Sequence, residues 1–188
     1  PVRRSDPPSA PATTIAVLPV HGVIVPKAGG LNEMSGGTSV DSLRAGLRSA
    51  MNDEDVRAIV LDVDSPGGMT DGVPELAADI RAARSVKPIY ALANTEMASA
   101  AYWLASQASE VWAMRSARVG AVGVYAVHES DAGKLASDGV EKTIVSAGRY
   151  KTEAIPHEPL TDEGRAQIQH MVDEFYGMFV ADVAAGRG

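Results

Sequence analysis

The sequence holds 188 residues with a net charge of −7, no cysteine, and 45% hydrophobic residues that include only two Phe and two Trp. This length suits one domain with a sizeable core, built here from Ala, Val, Leu and Ile, a composition that favours helices packed on a Val/Ile-rich sheet. The missing thiols exclude a disulfide framework, a zinc ribbon and a cysteine nucleophile. The acidic balance argues against nucleic-acid binding and against docking on an anionic membrane.

In chain order, residues 1–13 are rich in Pro, Ser and Ala and read as a flexible arm; a single domain over 14–188 is expected after it. The arm has no apolar h-region, so it does not read as a signal peptide. No stretch reaches the ~18–20 apolar residues of a membrane span, and a soluble cytoplasmic chain is expected. Residues 14–20 form a buried strand, Gly22 turns the chain into a short run at 23–25, and 26–37 is a Gly/Pro/Asn-rich loop. Thr38 or Ser39 can cap a helix reaching Met51, with Val40, Leu43, Leu47 and Met51 on one face. A strand at 56–63, a tight turn at 64–68 and a helix from near Asp71 to Arg84 follow. The next strand, 87–93, ends at Asn94-Thr95 and leads into a small-residue helix at 98–108. Strands are expected at 111–113, 119–127 and 142–147, a helix at 131–138, a loop at 148–159, and a long amphipathic helix at 161–184 with Ile168, Met171, Val172, Phe175, Phe179 and Val183 as its stripe. Apolar strands alternating with helices over 38–108 imply βαβ crossovers and a parallel sheet, hence an α/β fold. The ending Gly186-Arg187-Gly188 has no helix-stop logic and reads as trimmed.

Three segments carry chemistry. In Asp64-Ser65-Pro66-Gly67-Gly68 a strand ends, proline fixes a turn, and two glycines allow close backbone approach, so exposed N–H groups can hold a developing oxyanion. Alone it reads as a plain βα turn. In Met97-Ala98-Ser99-Ala100-Ala101-Tyr102-Trp103 a serine opens a helix after a strand, a rigid place for a nucleophile among small neighbours. Alone it reads as an N-capping serine. In Ser146-Ala147-Gly148-Arg149-Tyr150-Lys151 a lysine follows a glycine turn. Serine needs a base, and lysine serves only when neutral, a form that desolvation favours. Alone, Lys151 reads as an exposed loop residue. Asp62 and Asp64, two apart on a strand, share a face and read as strand-end residues. The four His, at 21, 128, 157 and 170, lie far apart without metal-ligand spacing, so neither a metal nor another cofactor is expected.

Taken in order, these segments resemble the signal peptide peptidase A family. The resemblance is carried by Ile15-Ala16-Val17-Leu18-Pro19-Val20-His21-Gly22-Val23-Ile24-Val25, Asp64-Ser65-Pro66-Gly67-Gly68, Ala98-Ser99-Ala100-Ala101-Tyr102-Trp103, Val122-Gly123-Val124 and Gly148-Arg149-Tyr150-Lys151. Three further details resemble its phage capsid-assembly branch: Leu104-Ala105-Ser106 after Trp103, Ala126-Val127-His128, and Glu158-Pro159-Leu160 after Lys151. The likeness covers residues 14 to about 186. It implies a crotonase/Clp-like α/β fold and a serine endopeptidase with Ser99 as nucleophile, Lys151 as general base, and the backbone N–H groups of Gly68 and Ala100 as oxyanion hole. It also implies capsid scaffold or portal-associated proteins as substrates, a homo-oligomeric ring, and action in the bacterial host cytoplasm or inside the prohead. One departure stands out. The family commonly has Gly-Ser-(Ile/Leu)-Gly, whose serine helps orient the lysine, where this chain reads Gly120-Ala121-Val122-Gly123; Ser146 or a water would have to take that role.

Three rival readings remain at this level. His128 can serve as base in a Ser–His mechanism. A crotonase-like acyl-CoA enzyme would use the glycine-turn amides without a serine. A catalytically weak assembly protein would fit Ala121. Fold alone does not separate them.

Overall fold

The computed structural model describes residues 14–29 and 36–188. The arm expected at 1–13 and part of the loop expected at 26–37 lie outside the described residues. Two compact units are distinguished: one takes in the described residues up to Val122 together with Met178–Gly188, the other is Gly123–Gly177.

The first unit is built on a sheet whose strand pairs are parallel among the described residues. Its strands are β1 (Thr14–Val25), β2 (Thr38–Ser39), β3 (Val56–Gly68), β4 (Ile89–Ala98), β5 (Glu110–Ala113) and β6 (Arg118–Gly120). They run in the order β2-β1-β3-β4-β5, with β6 pairing β4 beyond β5. The helices are α1 (Val40–Asn52), α2 (Val73–Ala83) and α3 (Ala100–Ala105). The parallel order follows from the alternation of strand and helix, because each crossover returns the chain to the same end of the sheet. In β3, Ile59, Leu61 and Val63 are buried at every second position, and Ile89, Ala91 and Ala93 of β4 match them. α1 and α3 pack on the strands and α2 packs on α1 and α3; Leu43, Leu47, Leu76, Ile80, Trp103 and Leu104 on these helices are all buried. Ser39 caps α1, its hydroxyl accepting the Ser42 N–H at 3.0 Å. Thr38 instead bonds the backbone of His21.

Several elements depart from expectation. The turn expected at 64–68 is the continuation of β3, which pairs with β1 as far as Gly68 opposite Ile24. Likewise β4 runs on through Asn94-Thr95 to Ala98, since those side chains bond Asp62 and Asp64 across the strands instead of turning the chain. Asp62 also holds His21, whose Nε2 lies 3.0 Å away. The helix expected at 98–108 is cut to six residues, and of the strand expected at 119–127 only Arg118–Gly120 is paired.

The second unit contains α4 (Ala132–Ser137) and most of α5 (Asp162–Arg187), whose last turns belong to the first unit. Thr161 caps α5, its hydroxyl accepting the Gly164 N–H at 2.8 Å. Residues 142–147, expected as a strand, join no ladder among the described residues. β-propensity reflects packing against a neighbouring strand, and without one it does not make a strand. No helix of the described residues is long and apolar enough to cross a membrane.

The end of α5 is fixed on α3. Phe179 stacks on Trp103 with ring centroids 4.5 Å apart, and the Trp103 indole N–H donates to Asp182 at 2.9 Å. Both rings are almost fully buried. Phe179→Ala is therefore expected to cost about 3–5 kcal/mol through lost burial and the cavity left behind. Urea unfolding would show this as a lower midpoint at an unchanged slope.

Candidate active site

Ser99 is the single residue between the end of β4 and the start of α3, with φ 52° and ψ −126°. A non-glycine residue in such a region costs about 1–3 kcal/mol and persists where its surroundings over-determine it. They do so here: the Ser99 N–H donates to the Gly120 carbonyl at 2.8 Å, and the Ser99 carbonyl accepts from the Trp103 N–H at 2.9 Å. The side chain makes no capping bond to α3. The hydroxyl is thus not spent on the helix, contrary to the capping role that the sequence alone favoured. It stays partly exposed and uncommitted among the described residues.

The glycine segment is pressed against this serine. At Gly67 (φ 95°) a Cβ would lie 2.7 Å from Ser99 Cβ and 2.8 Å from the Ala100 nitrogen. At Gly68 it would lie 2.0 Å from the Ile24 carbonyl oxygen. Both approaches require glycine, so the end of β3 can pass between β1 and the Ser99–Ala100 turn. Ser65, fully buried, locks this end: its hydroxyl donates to the Gly22 carbonyl at 2.6 Å and accepts the Gly67 N–H at 3.1 Å. Sequence reading quoted Ser65 within the motif but gave it no role; a serine two residues before a glycine in a turn-like run was the available signal. Gly120 (φ 119°) ends β6, Ala121 (φ 54°) follows it, and the Gly120 carbonyl receives the Ser99 N–H. Gly67, Gly68, Ser99, Ala100 and Gly120 are therefore gathered within the first unit.

Lys151 belongs to the second unit. Its N–H closes a turn onto the Gly148 carbonyl at 3.2 Å, and its side chain is exposed. Around it, Arg149 pairs with Glu163 at 2.5 Å, and Thr161 bonds Glu153. His128 Nε2 lies 3.1 Å from the Ile155 carbonyl. A carbonyl only accepts, so this nitrogen carries the hydrogen and is already committed. The His157 imidazole bonds Asp131 at 3.0 Å and holds that carboxyl below the ordinary aspartate range.

The sequence profile of Peptidase family S49 matches residues 81–188, more than half of the chain and both Ser99 and Lys151. The chain belongs to peptidase family S49. This agrees with the resemblance drawn from the motifs. Among its relatives, "Head-tail preconnector protein GP5" of Enterobacteria phage P21 is 40% identical over 93% of this chain and 35% of its own length. "Capsid assembly protease C" of Escherichia phage lambda is 38% identical over 93% of this chain and 40% of its own. The chain thus spans less than half the length of these relatives. Among solved structures, a mutant of the 1510-N membrane-bound stomatin-specific protease aligns with a TM-score of 0.45 at 16% identity, covering 62% of this chain and 50% of that one.

Proposed function

We propose that the chain is the peptidase domain of a capsid-assembly serine endopeptidase, working as one domain over 14–188. Ser99 is its nucleophile, Lys151 its general base, and the Gly68 and Ala100 N–H groups its oxyanion hole. The observation that carries this reading is the Ser99 geometry: a serine held at positive φ by backbone bonds, with its hydroxyl free of the helix it precedes. A capping serine would have no reason to bear that strain.

In the proposed reaction the neutral Lys151 amine takes the Ser99 proton as Oγ bonds to the substrate carbonyl carbon. The carbonyl electron pair moves onto oxygen, where the two N–H groups stabilise it. The pair returns, the C–N bond breaks, and the lysinium proton goes to the leaving amine. Water, deprotonated by the same lysine, then releases the acyl group. The neutral amine requires Lys151 to be desolvated in the substrate-bound site. The names of the phage relatives support capsid scaffold or portal-associated proteins as substrates, and with them action in the host cytoplasm or within the prohead. Lys151 is preferred to His128 as base because it falls on the lysine motif of the resemblance.

A homo-oligomeric ring is supported by apolar side chains left uncovered. Ile15 and Val17 of β1 and Trp112 of β5 are each nearly 60% exposed, on a parallel sheet whose other face is covered by helices; parallel sheets are normally covered on both faces. Met171, Tyr176 and Val180 of α5 are likewise exposed. Multi-angle light scattering is expected to give a mass of several chains, and a lone 19.6 kDa species at working concentration would remove the ring.

The activity is tested by incubating wild type, Ser99→Ala and Lys151→Ala with a capsid scaffold polypeptide from pH 6 to 10. Cleavage by wild type, lost in both variants, supports the dyad. Retained CoA, with no cleavage, would instead point to acyl-CoA chemistry.

A further inference from the structure

We infer that His128 and the Asp131–His157 pair are positioning residues for Lys151, clamping the loop that carries it; the inference rests on the Ser–Lys reading. Residues 148–160 contain neither helix nor strand, so their place is set by individual bonds. Two anchors hold them. Downstream of Lys151, the Asp131 N–H donates to the Pro156 carbonyl at 2.7 Å, His128 Nε2–H donates to the Ile155 carbonyl at 3.1 Å, and the Asp131 carboxylate accepts from His157 Nδ1 at 3.0 Å. Flanking Lys151 more closely, Arg149 pairs with Glu163 and Glu153 with Thr161, at the start of α5. Three consecutive loop residues are thereby tied to the start of α4, four to six residues after Lys151.

The protonation pattern is consistent. A carboxylate only accepts, so His157 carries its hydrogen on Nδ1. The Lys142 ammonium lies 3.0 Å from both ring nitrogens of His157, beside this pair.

Such a clamp matters because a base must reach the proton it takes, and misplacement by about 1 Å can cost on the order of 10²-fold in rate. Where the family resemblance puts a lysine-orienting serine, this chain has Ala121, whose side chain neither donates nor accepts. Within the second unit no side chain of the described residues bonds Lys151 Nζ, so there the anchors of its loop set its place.

The test is the rate at which a fluorophosphonate labels Ser99 in the full chain, measured from pH 6 to 10. His128→Ala, Asp131→Ala and His157→Ala are each expected to slow labelling at pH 7 tenfold or more. Asp131→Asn, which still accepts the Nδ1 hydrogen, should stay within about threefold of wild type. In a Lys151→Ala background the same substitutions should change nothing further, because they act through the lysine. Wild-type labelling by all three alanine variants, or equal slowing with and without Lys151, overturns the clamp while leaving the dyad standing. A Lys151→Ala protein labelled like wild type overturns the dyad and the clamp together. If alanine at 131 or 157 abolishes the thermal transition, His128→Ala carries the test with the same outcomes.

Discussion

Ser99→Ala is expected to lower kcat/KM for polypeptide cleavage by a factor on the order of 10⁶, the scale seen when a hydrolase loses its nucleophile. The substitution is small, and the turn that holds residue 99 depends on backbone bonds to Gly120 and Trp103 that alanine keeps. Melting should therefore stay close to wild type, so the loss is chemical. Lys151→Ala should fall nearly as far, since a nucleophile without its base is almost as poor as none. The double variant should be no worse than either single one, because residues that act as a unit are strongly non-additive. If Lys151→Ala keeps its rate while His128→Ala loses it, the base is histidine. If Ser99→Ala cleaves like wild type, the peptidase reading of this site falls.

Gly68→Ala is expected to destabilise the first unit by about 3 kcal/mol or more, the upper end of what overpacking costs. The added methyl would meet the Ile24 carbonyl oxygen at 2.0 Å and the Ile24 nitrogen at 2.6 Å. These are backbone atoms of a fully buried residue in the β1–β3 ladder, so nothing flexible can move aside. Gly67→Ala adds a different fault. Its φ of 95° disfavours any side chain, and its methyl would push Ser99 Cβ and the Ala100 nitrogen from 2.7 and 2.8 Å. A tenfold or greater loss of activity is expected in whatever Gly67→Ala protein still folds. Gly133→Ala is the control, since its Cβ meets nothing within 4 Å in helix α4, and there alanine should be neutral or stabilising by about 0.5–1 kcal/mol. Urea melts of the three variants rank these effects; a Gly68→Ala midpoint equal to wild type would contradict the close packing at Ile24.

The two anomalies of the site share one cause. A serine at positive φ and two glycines in forbidden contact range are costly alone, yet each defines the space of the other. The glycines leave room for the Ser99 turn, and the Ser65 hydroxyl fixes the glycines by joining Gly22 to Gly67. The strain at Ser99 is held by the ladder energy of three strands.

The sequence by itself determined the helices of the first unit to within a few residues, β3 and β4 as half-buried strands, and Ser99, Lys151 and the glycine pair as candidates, because periodicity and turn chemistry are properties of near neighbours; it left the cap of α1 open between Thr38 and Ser39, and it expected residues 14–20 to be buried, where Ile15 and Val17 are exposed. It misplaced the ends of β3 and β4. Pro66-Gly67-Gly68 and Asn94-Thr95 read locally as chain breakers, whereas in the fold they are kept extended by partners distant in sequence: Ile24 for Gly68, Asp62 and Asp64 for Asn94 and Thr95. The same holds for residues 142–147, whose apolar run promised a strand that only a neighbouring strand could supply. Only the tertiary structure decided that the Ser99 hydroxyl is free of α3 rather than capping it, that Ser65 braces the glycines, and that His128, Asp131 and His157 converge on the lysine loop. Each of these depends on backbone brought close across long stretches of chain, and close approach of distant segments is written in packing rather than in local pattern.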